Sequence, residues 1–448
     1  MQPPAIWAHF ESLKDPRVER TRRHKLQDIV VISVMAVIGF ADGWTDIVQL
    51  AKDREDWLRT VVELPSGIPS DDTFRRVMSA LDPVAFQACF LNWVRGLMAA
   101  TQGKLVAIDG KTVRRSFARE EGKSALHVVS AWAAHNQLVL GQVVTDQKSN
   151  EISAIAELLA MLDLSGATVT IDAMGCQNKI AESIVDAKAD YVLTLKENQP
   201  TLHQEVRDFF ESAQADGWRD SRHDEHETVD GEHGRIETRH VVVSDDIEWL
   251  TDRYLWKGLR SVVMIESTRT LGEESSFERR YYLSSLAPEA AVIAERIRGH
   301  WGIENGLHWV LDMAFDEDRC RIRRGHGPDN FALLRKSAVN LLKAEKTSET
   351  RYRRQAQARG VEPRVPIEGA RGGIQPSRLR SDRDVTADSR RSRAVAPAGS
   401  EGGAMLPRQA SDGTADDRVW HRGGTPDSAS RFLLPNRPAR NARTHRRL

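Results

Sequence analysis

Two short apolar runs in this chain each end on an aspartate. Residues 105–109 read Leu-Val-Ala-Ile-Asp, and residues 168–172 read Thr-Val-Thr-Ile-Asp. A strand buried on both faces is apolar throughout and stops where polar loops begin. Either aspartate alone is therefore as well explained by a turn or a helix cap. If the two strands are neighbours, however, Asp109 and Asp172 meet at one end of a sheet. Two carboxylates at close range repel unless a cation sits between them. Hard oxygen donors at a hydrated site suit Mg2+ or Mn2+. Residues 300–309 (His-Trp-Gly-Ile-Glu-Asn-Gly-Leu-His-Trp) offer a third acid, Glu304, with His308 four positions on and so on the same helix face. Ile303 and Leu307 would pack inward beside that face. Asp312, Asp316, Glu317 and Asp318 compete with Glu304, though the last three precede a basic stretch with which they can pair. Spacing alone does not choose among them, and a surface glutamate on an amphipathic helix is the plain alternative.

The elements that must position these acids can be read from periodicity. Residues 1–100 are helical in pattern, with long apolar stretches over 26–40, 44–52 and 83–98. Ser70 or Asp71 caps a helix that carries Arg75 and Arg76. From residue 104 the pattern changes to three strand-like runs (105–109, 126–134, 138–146), a helix (151–162), a strand (168–172), a helix (179–187), a strand (191–195) and a helix from Pro200. Three sequential strands followed by alternating units predict a mixed five-stranded sheet with helices on both faces, the element order of an RNase H-like fold. Residues 214–287 break this rhythm. Residues 223–240 are polar and loop-like, and strand-like runs follow over 238–243, 261–267 and 279–284. The division expected is a helical domain over 1–100, a catalytic core over 101–213, a β-rich insertion over 214–287 and the rest of the core over 288–348. After Lys346 lysine vanishes while arginine, glycine, proline and serine abound. Residues 349–448 lack apolar periodicity, so disorder is expected, and their composition fits frameshift read-through of a GC-rich gene.

Composition narrows the class. The 448 residues are 40% hydrophobic and 29% charged, as in a soluble globular protein. Lysine plus arginine balances aspartate plus glutamate at 64 each, so net charge announces no partner. Local basic clusters over 17–25, 111–119 and 319–324 do favour a phosphate backbone. Three widely spaced cysteines, Cys89, Cys176 and Cys320, exclude a disulfide framework and a cysteine zinc site and fit a reducing cytoplasm. No HExxH motif is present, and His223, His226 and His233 stand without a cysteine partner, which disfavours a zinc enzyme. The run over 29–41 is too short for a bilayer and is expected to be a buried helix, and no secretory signal is evident.

An ordered set of motifs goes further. Asp15-Pro16-Arg17, His24, Gly67-Ile68-Pro69-Ser70 and Thr73-Phe74-Arg75 lie in the helical region. Ile108-Asp109-Gly110-Lys111, Ile171-Asp172-Ala173-Met174 and Leu195-Lys196-Glu197-Asn198-Gln199 lie in the core. Residues 234–239, 280–285 and 300–312 complete it. With these motifs, residues from about 10 to 348 resemble the H-repeat-associated family of insertion-sequence transposases, of the DDE type with an RNase H-like core. The resemblance implies that Asp109, Asp172 and Glu304 are the catalytic acids and hold two Mg2+ or Mn2+ ions. It implies cleavage and strand transfer on double-stranded DNA, at the element's terminal inverted repeats and a target, by a homodimer in the cytoplasm at the nucleoid.

DNA contacts are expected from Lys111, Arg114 and Arg115 after the first acid, and from Lys196, Asn198 and Gln199 after the fifth strand. Related DDE transposases often carry Tyr, Arg and Lys around the glutamate where this chain has Ile297, His300 and Leu311. The missing contacts are then expected from Arg298, His300 and His308. The alternatives are a stand-alone nuclease that makes no insertions, or an inactive or domesticated DNA-binding derivative, which the altered tail favours and the three retained acids disfavour.

Overall fold

The computed structural model describes residues 6–97, 104–117, 122, 124–145, 150–232 and 235–344, all within one compact unit. The segment over 349–448, with the disorder and read-through expected of it, lies outside the described residues.

A single mixed sheet organises the chain. Its strands are β1 (Leu105–Thr112), β2 (His127–Ala133), β3 (Leu138–Thr145), β4 (Thr168–Ile171), β5 (Asp190–Leu195), β6 (Asp224–Glu232), β7 (Arg235–Ser244), β8 (Ser261–Leu271) and β9 (Glu274–Ser284). They run in the order β3-β2-β1-β4-β5-β9-β8-β7-β6. β1, β4 and β5 are parallel neighbours, and β2 and β3 complete an antiparallel meander beside β1. The sheet is larger than the five strands expected, because the β-rich stretch expected over 214–287 joins it. β9 pairs antiparallel with β5, Val192 opposite Ser284 and Leu195 opposite Tyr281, so the outer four strands extend the same sheet to nine.

The polar stretch over 223–240, expected as loop, forms β6 and the first part of β7. The reason is its place at the sheet edge. No described side chain of β6 is fully buried, so apolar alternation is not needed there. Asp224, Glu225, Glu227 and Asp230 instead charge an edge that would otherwise invite pairing with another chain.

The helices are α1 (Leu26–Ile38), α2 (Trp44–Asp53), α3 (Glu55–Leu58), α4 (Asp71–Ala80), α5 (Pro83–Leu97), α6 (Glu151–Met161), α7 (Asn178–Asp186), α8 (Pro200–Ala215), α9 (Ala290–His300), α10 (Trp309–Met313) and α11 (Gly327–Ala344). α1 is buried on nearly every side, as its apolar run predicts. Ser70 is the cap of α4, accepting a hydrogen bond from the Thr73 amide. Side chains of α1, α4 and α5 share one continuous apolar core with β1, β4 and α11. α11 wedges between the N-terminal helices and β3. Its Asn340 donates to the Val139 carbonyl and accepts from the Val139 amide, which completes the edge of β3. Among the described residues no single helix is long and apolar enough to cross a membrane.

α9 covers β1, β4 and β5 on one face of the sheet. Beyond it the backbone widens into a π-helical turn over Glu304–His308, where the Trp309 amide donates to the Glu304 carbonyl five residues back. Gly306 lets this turn lie against β2, because a Cβ there would stand 2.7 Å from the buried indole of Trp132.

Candidate active site

In the parallel pairing of β1 and β4, Ile108 stands opposite Ile171. The next residue on each is an aspartate, so Asp109 and Asp172 leave neighbouring strands on the face that α9 covers. Asp109 Oδ1 accepts from the Gly110 amide at 2.8 Å. Asp172 Oδ1 accepts from the Met174 amide at 3.1 Å, so this residue also caps the short turn after β4. The capping explanation and the site explanation both hold for Asp172.

Glu304 comes from the π-helical turn. Its Oε2 lies 3.1 Å from Nδ1 of His308, which in turn lies 3.3 Å from Asp109 Oδ2. Candidate ligand atoms of Asp109, Glu304 and His308 all fall within 4.8 Å of one another. All three acids line one cleft of about 200 Å3, with His300, Lys196 and Arg280 among its walls. The Glu304 side chain is 55% exposed and that of His308 only 5%, so the cleft opens on the glutamate side.

The electrostatics record this crowding. Burial pushes the Asp109 carboxyl up, but the His308 hydrogen bond and the charges of His308 and His300 outweigh it and hold it below the ordinary range. The His308 bond holds Glu304 low as well, against its partial burial. Asp172 goes the other way, raised by burial and by the negative charges of Asp109 and Glu151. His308 is lowered by burial, yet its bonds to Asp109 and Glu304 leave it raised overall. Burial keeps His300 low, and its Nδ1 lies 2.9 Å from Thr170 Oγ1. A pair of acids with diverging affinities for protons is what a cation between them would relieve.

The residues expected to grip DNA divide into two groups. Arg114, Arg115, Lys196 and Arg298 are exposed, although Arg114 pairs with Asp318 and Arg298 with Asp230. The others are engaged within the protein. Lys111 is largely buried and held by three carboxylates, Asp312, Glu317 and Asp318. Asn198 donates to the Ala173 carbonyl at 2.7 Å and Gln199 to the Cys176 carbonyl at 3.0 Å, so both amides fasten the loop that follows Asp172. His300 lines the cleft against Thr170, and His308 is buried against Asp109 and Glu304. Spacing could show that His308 shares a face with Glu304, but not that this face turns inward.

Comparisons with known proteins agree with this geometry. Residues 100–341 match the family model of the transposase DDE domain, and residues 7–94 match that of its associated segment. YncI of Escherichia coli O157:H7, a transposase by name, is 43% identical over 339 residues, which are 75% of this chain and 86% of its own. YhhI of Escherichia coli strain K12, an H repeat-associated transposase by name, is 38% identical over 354 residues, 78% of this chain and 93% of its own. A solved piggyBac transposase synaptic complex with hairpin DNA aligns over 76% of this chain and 73% of its own at 11% identity, with a TM-score of 0.37, too low to carry weight. The class is therefore that of the DDE transposases, enzymes that cut and join DNA with divalent metal. The chain belongs to the H repeat-associated transposases of insertion sequences within it. Nothing in these matches favours the inactive or domesticated derivative.

Proposed function

We propose that Asp109, Asp172 and Glu304 are the catalytic acids and together hold two divalent ions, Mg2+ or Mn2+. The observation that carries this is the arrival of the three, from β1, β4 and the turn after α9, in one cleft, where donor atoms of Asp109 and Glu304 lie within 4.8 Å of each other. Divalent ions bound there supply activation of the attacking oxygen and neutralisation of charge on the leaving one. The protein's part is to hold the donors still. Backbone amides fix Asp109 and Asp172 in place, and the packed turn fixes Glu304. Lys196 and Arg280 line the same cleft and are placed to take the charge of the flanking phosphates.

The order β3-β2-β1-β4-β5, with the last three strands parallel, supports an RNase H-like core within the larger sheet. The DNA is read as the two terminal inverted repeats of an insertion sequence and a target duplex. Bridging two ends calls for at least a homodimer on DNA, acting in the cytoplasm at the nucleoid.

The test is cleavage of end-labelled element termini by the variants Asp109→Asn, Asp172→Asn and Glu304→Gln. Each should lose Mg2+-dependent cleavage while keeping its fold and DNA affinity. Retained cleavage in any variant removes that residue from the set. A hydrolase that releases cut ends and never yields joined products would be a stand-alone nuclease instead.

A further inference from the structure

We propose that His308 is itself a ligand in the cation site, making the centre a mixed carboxylate and imidazole set rather than an all-oxygen one. The proposal rests on the metal-binding reading of Asp109 and Glu304 and adds a nitrogen donor to it.

Distances carry the argument. His308 Nδ1 stands 3.1 Å from Glu304 Oε2 and 3.3 Å from Asp109 Oδ2. Octahedral coordination with bonds of about 2.1 Å places adjacent donors about 3.0 Å apart. Both spacings approach that edge. A charge-assisted hydrogen bond from an imidazolium to a carboxylate is shorter, about 2.7–2.9 Å. One Nδ1–H shared between two carboxylates is a poor hydrogen bond to each. One Nδ1 lone pair beside two carboxylate oxygens is an ordinary face of a coordination shell. Nε2 has no hydrogen-bond partner among the described residues, so every polar contact recorded for the ring is made through Nδ1.

The backbone points the same way. π-helical turns are rare and recur at functional sites. Here the turn runs from Glu304 to His308, so its two ends are the two donors it supplies. Gly306, between them, seats it against Trp132.

Chemistry then sets the expected preference. A nitrogen donor tightens binding of Mn2+ and Co2+ more than of Mg2+, whose affinity is for oxygen. Removing His308 should weaken Mn2+ binding and leave Mg2+ binding less affected.

The experiment uses the full chain without DNA, with Mn2+ as the probe. Pulsed electron paramagnetic resonance on protein labelled with 15N-histidine should show coupling of the bound Mn2+ to a histidine nitrogen, and His308→Gln should abolish it. The variant should also bind Mn2+ on the order of tenfold more weakly, since even outer-shell partners of a ligand are worth that much. Bound Mn2+ in the unsubstituted protein without nitrogen coupling would overturn the proposal, and so would undiminished Mn2+ affinity in His308→Gln. If that variant does not fold, His300→Gln serves instead: the coupling should persist in it, and its loss there would assign the nitrogen to His300 and overturn the proposal. Asp109→Asn separates the two levels: if it too binds Mn2+ normally, the cation site itself is misassigned. If only the coupling is missing, His308 alone is dismissed.

Discussion

Lys111, two residues past Asp109, binds Asp312, four residues past His308, with Nζ 2.5 Å from Oδ1. The strand that carries the first acid is thus fastened to the helix that follows the third. Glu317 and Asp318 close around the same ammonium at 3.1 and 3.3 Å. Lys111→Met would leave the buried Glu317 without this cation, and breaking such a pair costs about 3–5 kcal/mol. Urea denaturation should show a loss of that order. The salt dependence of DNA affinity should not change, because three carboxylates already hold the Lys111 ammonium; a slope reduced by about one would make it a DNA contact.

Asn198 reaches across from the end of β5 to the carbonyl of Ala173, beside Asp172. Asn198→Ala should cost about 1 kcal/mol of stability. Asn198→Asp sets a carboxylate against that carbonyl and should lower cleavage more than Asn198→Ala does. DNA affinity should hold in both variants. Weakened DNA binding with cleavage per bound complex unchanged would instead support the DNA-contact role expected from sequence.

Lys336 is fully buried in α11, near Glu317 but also near Lys111 and Arg335. Burial lowers its ammonium to about 8, against the ordinary 10.5. Between those two values the unfolded chain binds the proton that the folded chain has released, so stability rises with pH across that window. Below pH 8 both states are protonated and the burial penalty stands in full. Lys336→Met should flatten this rise. Melting temperatures from pH 7 to pH 10 measure it, and parallel curves for the two proteins would refute the assignment.

Gly306→Ala places a methyl group 2.7 Å from a rigid, buried indole carbon of Trp132. Overpacking of this kind costs about 1–3 kcal/mol. The turn should shift, and cleavage should fall further than stability alone explains. A crystal structure of the variant with Glu304 and His308 unmoved would contradict this.

The two aspartates were legible because buried parallel strands are apolar to their last residue, and an acid at that point stands out. The neighbourhood of β1 and β4 followed from the order of elements. The outer sheet was only partly legible. β6 has no buried face to impose a pattern, and the pairing of Val192 with Ser284 joins residues far apart in the chain. The ion pairs of Lys111 were not legible because its acidic partners lie some 200 positions away. The bonds of Asn198 and Gln199 to the loop after Asp172 were hidden for a related reason: an amide that can read a base can equally hold a loop. Glu304 could be told from Asp312, Glu317 and Asp318 only through the family motif. The structure gives those last three a cation to share and leaves Glu304 facing the cleft.

The junction of β5 with β9 has a practical corollary. Residues 224–284 form no detachable cassette, since the parallel strand beside Asp172 takes its second neighbour from them. A shortened protein without them would expose β5 as a bare, apolar rim. Such a rim recruits other chains, so trimming towards a minimal enzyme should yield insoluble material rather than a smaller nuclease.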